Sequence, residues 1–463
     1  MASAGEKTPA PSSGGASRRV LMFPLPFQGH INPMMQLADV LHSRGFGITV
    51  FHAAFNAPDP AGRPAGYRFV PVGVPADDDL LPTGSDADFA GALLRINERL
   101  QAPFQDSLRE VLEEEEGAAA CLVVDSNLRG IQVVAERLGV PTLVLRTGGA
   151  ACLVAYMAFP ALCDKGILPP QDQSQLDMAL DDLQPLLLRD LVFSTTTPHE
   201  TMSTCLERIV ESARHSSGLI LNTFNDLEDA ELRKIADGTS VPVYAIGPLH
   251  KISAGAQSSL LAQDRTCLDW LDKQEAGSVL YVSFGSLASM DQEELVETAW
   301  GLANSRVPFL WVIRPNLVQC SEKVGLPDGF EEATRGRGMV VSWAPQQEVL
   351  GHHAVGGFWT HNGWNSTLES ICEGVPMICT PCFADQMINA RYVQEVWKTG
   401  FELEGKLERD KIEMGVTKLL GQAEGEEMRQ RARDLKNKAA LSIKKGGTSQ
   451  TTIDLLVNSI MSF

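Results

Sequence analysis

The sequence predicts an α/β protein of two doubly wound domains, each a parallel sheet covered by crossover helices. Short β-branched runs alternate with longer helical patterns along the chain, the mark of strand–helix–strand units. With 463 residues the chain is too long for one ordinary core. The stretch Gly247–Asp264, rich in Pro, Gly, Ser, Ala and Gln with little apolar periodicity, divides it as a linker would.

In the first half the strand candidates are Arg19–Pro24, Gly47–His52, Tyr67–Val72, Cys121–Asp125 and Thr142–Arg146. In the second half they are Ser278–Gly285, Phe309–Ile313, Met339–Ser342, Gly357–Thr360 and Met377–Thr380. Met1–Ser17, built from Ala, Gly, Ser and Pro with no apolar stretch before Arg18, reads as a disordered tail rather than a signal peptide. The expected division is therefore tail 1–17, first domain 18–246, linker 247–264 and second domain 265–463, the last helix being a candidate to pack back on the first domain.

Composition narrows the function. Lys plus Arg number 39 against 58 Asp plus Glu, a net charge of -19, which argues against nucleic acid because phosphate backbones need a basic surface. A small phosphate-bearing ligand needs only a few local donors and stays open. Nine cysteines, with a single CxxC at Cys379-Thr380-Pro381-Cys382 and the rest dispersed, read as reduced cytosolic thiols. No run of about 18 uncharged apolar residues suggests a membrane span. The acidic run Glu113–Glu116 and the triplet Asp77–Asp79 read as a solvated helix end and a surface loop, not as functional sites.

The first candidate site follows the first strand, at Phe27-Gln28-Gly29-His30-Ile31-Asn32-Pro33. Asn32 suits a helix N-cap and Pro33 the first helical position, with Met34, Leu37, Ala38 and Leu41 at helical spacing and Gly45 closing the element. His30 is then expected in the loop beyond a strand's carboxyl end, where ligands bind in open α/β sheets. It could be a general base or merely help to cap the helix. Asp125, at the end of the Cys121–Val124 run, is expected at a strand end in the same half. A carboxylate beside a histidine fixes its tautomer and stabilises the imidazolium, although Asp125 could equally cap a loop.

The second candidate site is Trp343–Gln386. It contains Trp343-Ala344-Pro345-Gln346, then His361-Asn362-Gly363-Trp364-Asn365-Ser366-Thr367-Leu368-Glu369, then Asp385-Gln386. Ser366 and Glu369 fit a capping box at the start of a helix. A helix N-terminus preceded by His361 and Asn365 is also suited to a diphosphate, with Gly363 letting backbone approach, Ser286 donating from a second turn and Trp343 offering a flat face to a base. Other nucleotide sites are disfavoured: there is no GxGxxG after a strand, no GxxxxGK[ST] and no GxSxG. His352, His353 and His361 lack HExxH spacing, so no metal site is expected.

Together these residues resemble the plant family 1 uridine-diphosphate-dependent glycosyltransferases. Trp343–Gln386 is similar to that family's 44-residue signature box, and Phe27–His30 to its catalytic-histidine motif. The resemblance runs from about Arg19 to the C-terminus, and Asp125 falls where the family keeps its partner aspartate. It implies a GT-B fold, two Rossmann-like domains facing across a cleft, with the acceptor held by the first and the donor by the second. It implies that Trp343 stacks on uracil, that Ala344 and Gln346 meet base and ribose, and that Glu369 binds the ribose hydroxyls. His361, Asn365, Ser366 and Ser286 would surround the diphosphate. Trp364, Asp385 and Gln386 would hold the sugar, with Thr147 touching it from the other domain; a glutamine in the last place points to glucose. Asn362 departs from the family, where many members have Cys; it and the Phe27 turn are similar to a grass subgroup acting on benzoxazinoids, flavonoids or related phenolics.

The implied reaction is inverting transfer from UDP-glucose to a hydroxyl of a small aromatic or terpenoid-like acceptor, with His30 as base and Asp125 as its partner. No cofactor and no metal are expected, and the enzyme is expected to be a cytoplasmic monomer. Phe27, Phe89, Leu93, Met157 and Phe193 are the candidates to line the acceptor pocket. The alternatives are the same fold using another UDP-sugar, and a nucleotide-sugar-binding protein without transferase activity.

Overall fold

A computed structural model describes residues 18–73, 88–114, 119–191, 197–253, 261–315, 317–318 and 325–463. The tail Met1–Ser17, the triplet Asp77–Asp79, Glu115, Glu116 and Phe193 lie outside them.

Two parallel sheets carry the chain. The first contains β1 (Arg19–Phe23), β2 (Gly47–Ala53), β3 (Tyr67–Val72), β4 (Ala119–Asp125), β5 (Thr142–Arg146), β6 (Leu219–Leu221) and β7 (Val243–Ala245), in the order β3-β2-β1-β4-β5-β6-β7. The second contains β8 (Val279–Ser283), β9 (Phe309–Val312), β10 (Gly338–Val341), β11 (Val355–Thr360), β12 (Met377–Cys379) and β13 (Gly400–Glu402), in the order β10-β9-β8-β11-β12-β13. Strands buried on both faces read as continuous apolar runs, which is why β1, β4, β5, β8 and β11 stand out in the sequence. The sequence reading lacks β6, β7 and β13. Each is only three residues long and offers no periodicity to detect.

Strand order reverses between β1 and β4 in the first sheet and between β8 and β11 in the second. Crossover helices leave these neighbouring strands in opposite directions, so a crevice opens at their carboxyl ends. His30 follows β1 and Asp125 ends β4; Ser286 follows β8 and His361 follows β11.

The start of the first helix corrects the sequence reading. Helix Gln28–Ser43 begins four residues before Asn32, with Phe27 extended (φ −125°, ψ 147°) as its N-cap. Neither Asn32 as N-cap nor Pro33 as first helical residue holds: Pro33 lies inside the helix, and His30 is the third helical residue rather than a loop residue. Proline has no N–H, so the Gly29 carbonyl four residues earlier loses its intrahelical donor. That carbonyl accepts from Asn365 Nδ2 of the other domain at 2.8 Å.

Further contacts join the two halves. Arg391 and Asp190 form a buried ion pair through Nε–Oδ2 at 2.8 Å and Nη2–Oδ1 at 3.2 Å. Trp364 Nε1 donates to the Asn222 carbonyl at 2.9 Å, and Trp397 Nε1 to that of Leu227 at 3.3 Å. Within the presumed linker, Leu249–Ile252 is a short helix whose buried Leu249 donates its N–H to Asn222 Oδ1. Helix Thr448–Ser462, last in the chain, buries Ile453, Leu456 and Ile460 against the first sheet.

Candidate functional site

The His30 ring sits in the first turn of its helix, a quarter exposed, above a wholly buried Asp125. Its Nδ1 lies 2.7 Å from Asp125 Oδ2 and 2.9 Å from Thr147 Oγ1. Asp125 Oδ1 accepts from the backbone N–H and side-chain Nδ2 of Asn127 at 2.9 and 2.8 Å, so this carboxylate caps its loop and holds the histidine at once. Burial alone would raise the Asp125 carboxyl, but the His30 imidazole and the Asn127 donors outweigh it and hold the group below the usual carboxylate range. An ionised Asp125 only accepts, so the shared proton belongs to His30 Nδ1 and Nε2 is left with its lone pair.

The donor half is organised in advance. The Trp343-to-Gln346 turn leads into helix Gln346–Leu350, and Gln346 Nε2 donates to Ser366 Oγ at 2.9 Å and to Glu369 Oε2 at 2.7 Å. Gln347 Nε2 donates to the other Glu369 oxygen at 2.8 Å. The expected capping box is therefore absent. Helix Trp364–Glu373 takes Gly363 as N-cap, and the Ser366 and Glu369 side chains turn to the two glutamines instead. Burial raises the Glu369 carboxyl despite those two amides.

His361 precedes this helix with its ring packed between two glycines. A Cβ on Gly285 would come within 2.5 Å of the ring, and one on Gly363 within 2.7 Å, so both positions need glycine for close approach. Burial, and then the nearby Arg314 guanidinium, lower the His361 imidazole to about 4 and keep it neutral at pH 7.

Gln386 Oε1 accepts from the Cys382 and Phe383 amides at 2.8 and 3.1 Å, which fixes the carboxamide and turns its NH₂ to the cleft. Asp385 accepts from Asn389 Nδ2 at 3.2 Å, and burial raises its carboxyl against the pull of Arg146. Trp364 borders the same space, but its indole N–H is committed to Asn222; what it offers inward is the backbone N–H of the first helical turn.

One cavity of about 600 Å³ joins these groups. His30, Thr147, Ser286, Trp343, Ala344 and Gln346 line it, as do His361, Trp364, Asn365, Ser366, Glu369, Asp385 and Gln386. Asp125 stands behind His30, out of the lining. That volume suits a drug-sized or nucleotide-sized ligand. Phe27, Phe89 and Leu93 line its other half, and Phe89 stacks on Phe383 across the cleft with ring centroids 4.9 Å apart.

Met157 does not reach the cavity. On helix Ala150–Asp164 it faces Gly238, whereas Tyr156, one position and about 100° away on the helix, lines the cavity. The sequence reading also lacks Met202, Cys205, Leu206 and Ile209 on helix His199–Arg214. Their 3-4-7 spacing is visible, but an apolar stripe of that kind reads equally as core.

The chain is similar over nearly its whole length to known UDP-sugar transferases. A family model described as UDP-glucoronosyl and UDP-glucosyl transferase matches residues 255–424. The chain is 47% identical over 463 residues to the DIMBOA UDP-glucosyltransferase BX9 of Zea mays, covering 98% of this chain and 99% of that protein. To BX8 of the same plant it is 48% identical over 464 residues, covering 97% and 100%. A solved Polygonum tinctorium UDP-glucosyltransferase capable of glucosylating indoxyl, in complex with 3,4-dichloroaniline, superposes with a TM-score of 0.82 at 29% identity, covering 97% of this chain and all of that one.

Proposed function

The chain belongs to the plant family 1 UDP-dependent glycosyltransferases, a GT-B family, and on that premise we propose that it transfers glucose from UDP-glucose to a hydroxyl of a small phenolic acceptor with inversion, using His30 as base and Asp125 as its partner. One observation carries the reading: the His30–Asp125 pair of the first domain and the Trp343–Gln386 block of the second open into a single cavity.

In this mechanism the acceptor hydroxyl loses its proton to His30 Nε2 as its oxygen attacks the anomeric carbon. The bond from that carbon to the diphosphate breaks, and its electron pair leaves on the phosphate oxygen. Asp125 stabilises the imidazolium. The departing charge meets the first turn of helix Trp364–Glu373, the neutral His361 ring as a hydrogen-bond donor, and Ser286. Asp385 and Gln386 hold the sugar from one side and Thr147 from the other. A pure nucleotide-sugar binder would need neither His30 nor its buried partner.

Incubation with several nucleotide sugars and a phenolic panel, read by mass spectrometry, tests the class: a hexose added from UDP-glucose is expected. His30→Ala should lose at least about 10²-fold in turnover while UDP-glucose affinity stays nearly unchanged. Unimpaired turnover on an acceptor whose hydroxyl is not already acidic removes His30 from the role. Because hydrogen-bond donors and a helix terminus serve the leaving group in this reading, a chelator should leave the rate unchanged; loss restored by a divalent ion would count against it. Among the described residues no helix is long and apolar enough to cross a membrane, and eight cysteines form no disulfide; a cytoplasmic location and a monomeric state are further parts of the proposal. Cell fractionation and size-exclusion chromatography test those two points.

A further inference from the structure

Three arginines are buried among the described residues: Arg146, Arg314 and Arg391. Arg391 has the paired oxygens of Asp190, and Arg314 donates to the carbonyls of Gly285, Ala288 and Pro315. Arg146 is different. It ends β5, is 5% exposed, and lines the cavity beside Thr147. Its Nη1 reaches Ser126 Oγ at 3.4 Å and its Nη2 reaches Cys152 Sγ at 3.3 Å, the Tyr156 hydroxyl is a further polar neighbour, and its Nε has no partner among the described residues. The guanidinium lies over the Tyr156 ring, 5.0 Å from its centroid, and among the described residues no carboxylate stands within ion-pair distance.

A guanidinium is permanently charged and carries five N–H donors in a fixed plane. Two long contacts and the Tyr156 side chain leave part of that capacity unused, and a buried cation without a carboxylate in contact is unfavourable. The cavity is the side from which a partner can come. Asp385 also lines it: a Cβ on Gly148 would lie 3.1 Å from Arg146 Nη2 and 3.2 Å from Asp385 Oδ2, so the two groups border the same side of Gly148 and act on each other through charge without touching. The cavity wall close to Arg146 also includes Tyr156 and Cys205 of helix His199–Arg214, both of the first domain.

We propose that Arg146 is a specificity residue for the acceptor, and that the preferred acceptors carry an anionic oxygen, such as a carboxylate, besides the hydroxyl that is glycosylated. The assignment rests on the first domain being the acceptor half. It adds a charge preference to an otherwise apolar pocket, where a planar two-oxygen anion matches the guanidinium fork in the way Asp190 matches Arg391.

The test pairs 2-, 3- and 4-hydroxybenzoate each with the corresponding hydroxybenzamide, which has the same shape without the charge. For at least one isomer, kcat/KM should favour the acid by about tenfold or more, mainly through KM. Arg146→Met should bring the acid-to-amide ratio close to unity, and Arg146→Lys should keep part of it. The ratio is the readout because a merely structural defect lowers both members of a pair alike. Calorimetric titration of the same pairs into the UDP-loaded protein reads the preference without turnover. Tighter binding of an acid that disappears in Arg146→Met supports the assignment even if no hexose is transferred, and in that case only the transferase reading fails. Absence of any preference for an acid in the wild-type protein, or an equal loss for acids and amides in Arg146→Met, overturns it.

Discussion

Glu228 is a strongly perturbed acid outside the proposed chemistry. It is 1% exposed, accepts the Ala151 N–H at the start of helix Ala150–Asp164 at 2.9 Å, and is pushed by burial up to about 7. Its folded value lies above that of the unfolded chain, so the stability from keeping its proton is complete in the ordinary carboxylate range and is lost as pH rises through about 7. Gln does not titrate. The stability of Glu228→Gln relative to wild type should therefore rise by about 3 kcal/mol between about pH 4.5 and 8, measured from denaturant midpoints. A gap that does not change with pH would refute the buried acid. Single residues were unevenly legible in the sequence. His30, Asp125 and the signature block were readable because chemistry limits which residue types can serve. Arg146 and Glu228 were not, because a charged residue in a strand or helix shows its burial only once the chain is folded.

Periodicity revealed the long elements and misplaced their ends. Helix Gln28–Ser43 starts before its apparent cap, since Asn32 and Pro33 satisfy the usual rules for a helix start while the chain has already turned at Phe27. The expected capping box at Ser366 and Glu369 failed for a related reason: both side chains have better partners in Gln346 and Gln347, which lie about twenty residues away and are invisible to a local pattern. Pro33 permits an element-scale test. Pro33→Ala restores an N–H that can claim the Gly29 carbonyl and compete with Asn365 Nδ2. Removing a proline from a helix interior should raise the melting temperature, while weakening the cross-domain bond should raise the KM for UDP-glucose by roughly 2–10-fold. A higher melting temperature with no change in that KM would show that the bond is irrelevant to donor binding.

At the scale of the whole molecule, the two doubly wound sheets were legible from alternation alone, and the placement of the site followed from where each strand order reverses. Which side chains join the halves was not legible, because ion pairs such as Asp190–Arg391 join residues 201 positions apart and neither segment marks the other as its partner. Trp364 and Asn365 sit side by side in the first turn of the helix assigned to the leaving group, and each is bonded to a backbone carbonyl of the opposite domain, Asn222 and Gly29. Expelling the spent carrier and loosening the grip between the lobes thus call on the same pair of neighbours. The tempo of each cycle should be set by that ejection rather than by formation of the glycosidic bond. Rapid-quench sampling should then catch a first burst of glucoside close to the molar amount of enzyme, followed by a slower steady release; a linear start would place the bottleneck at the bond itself.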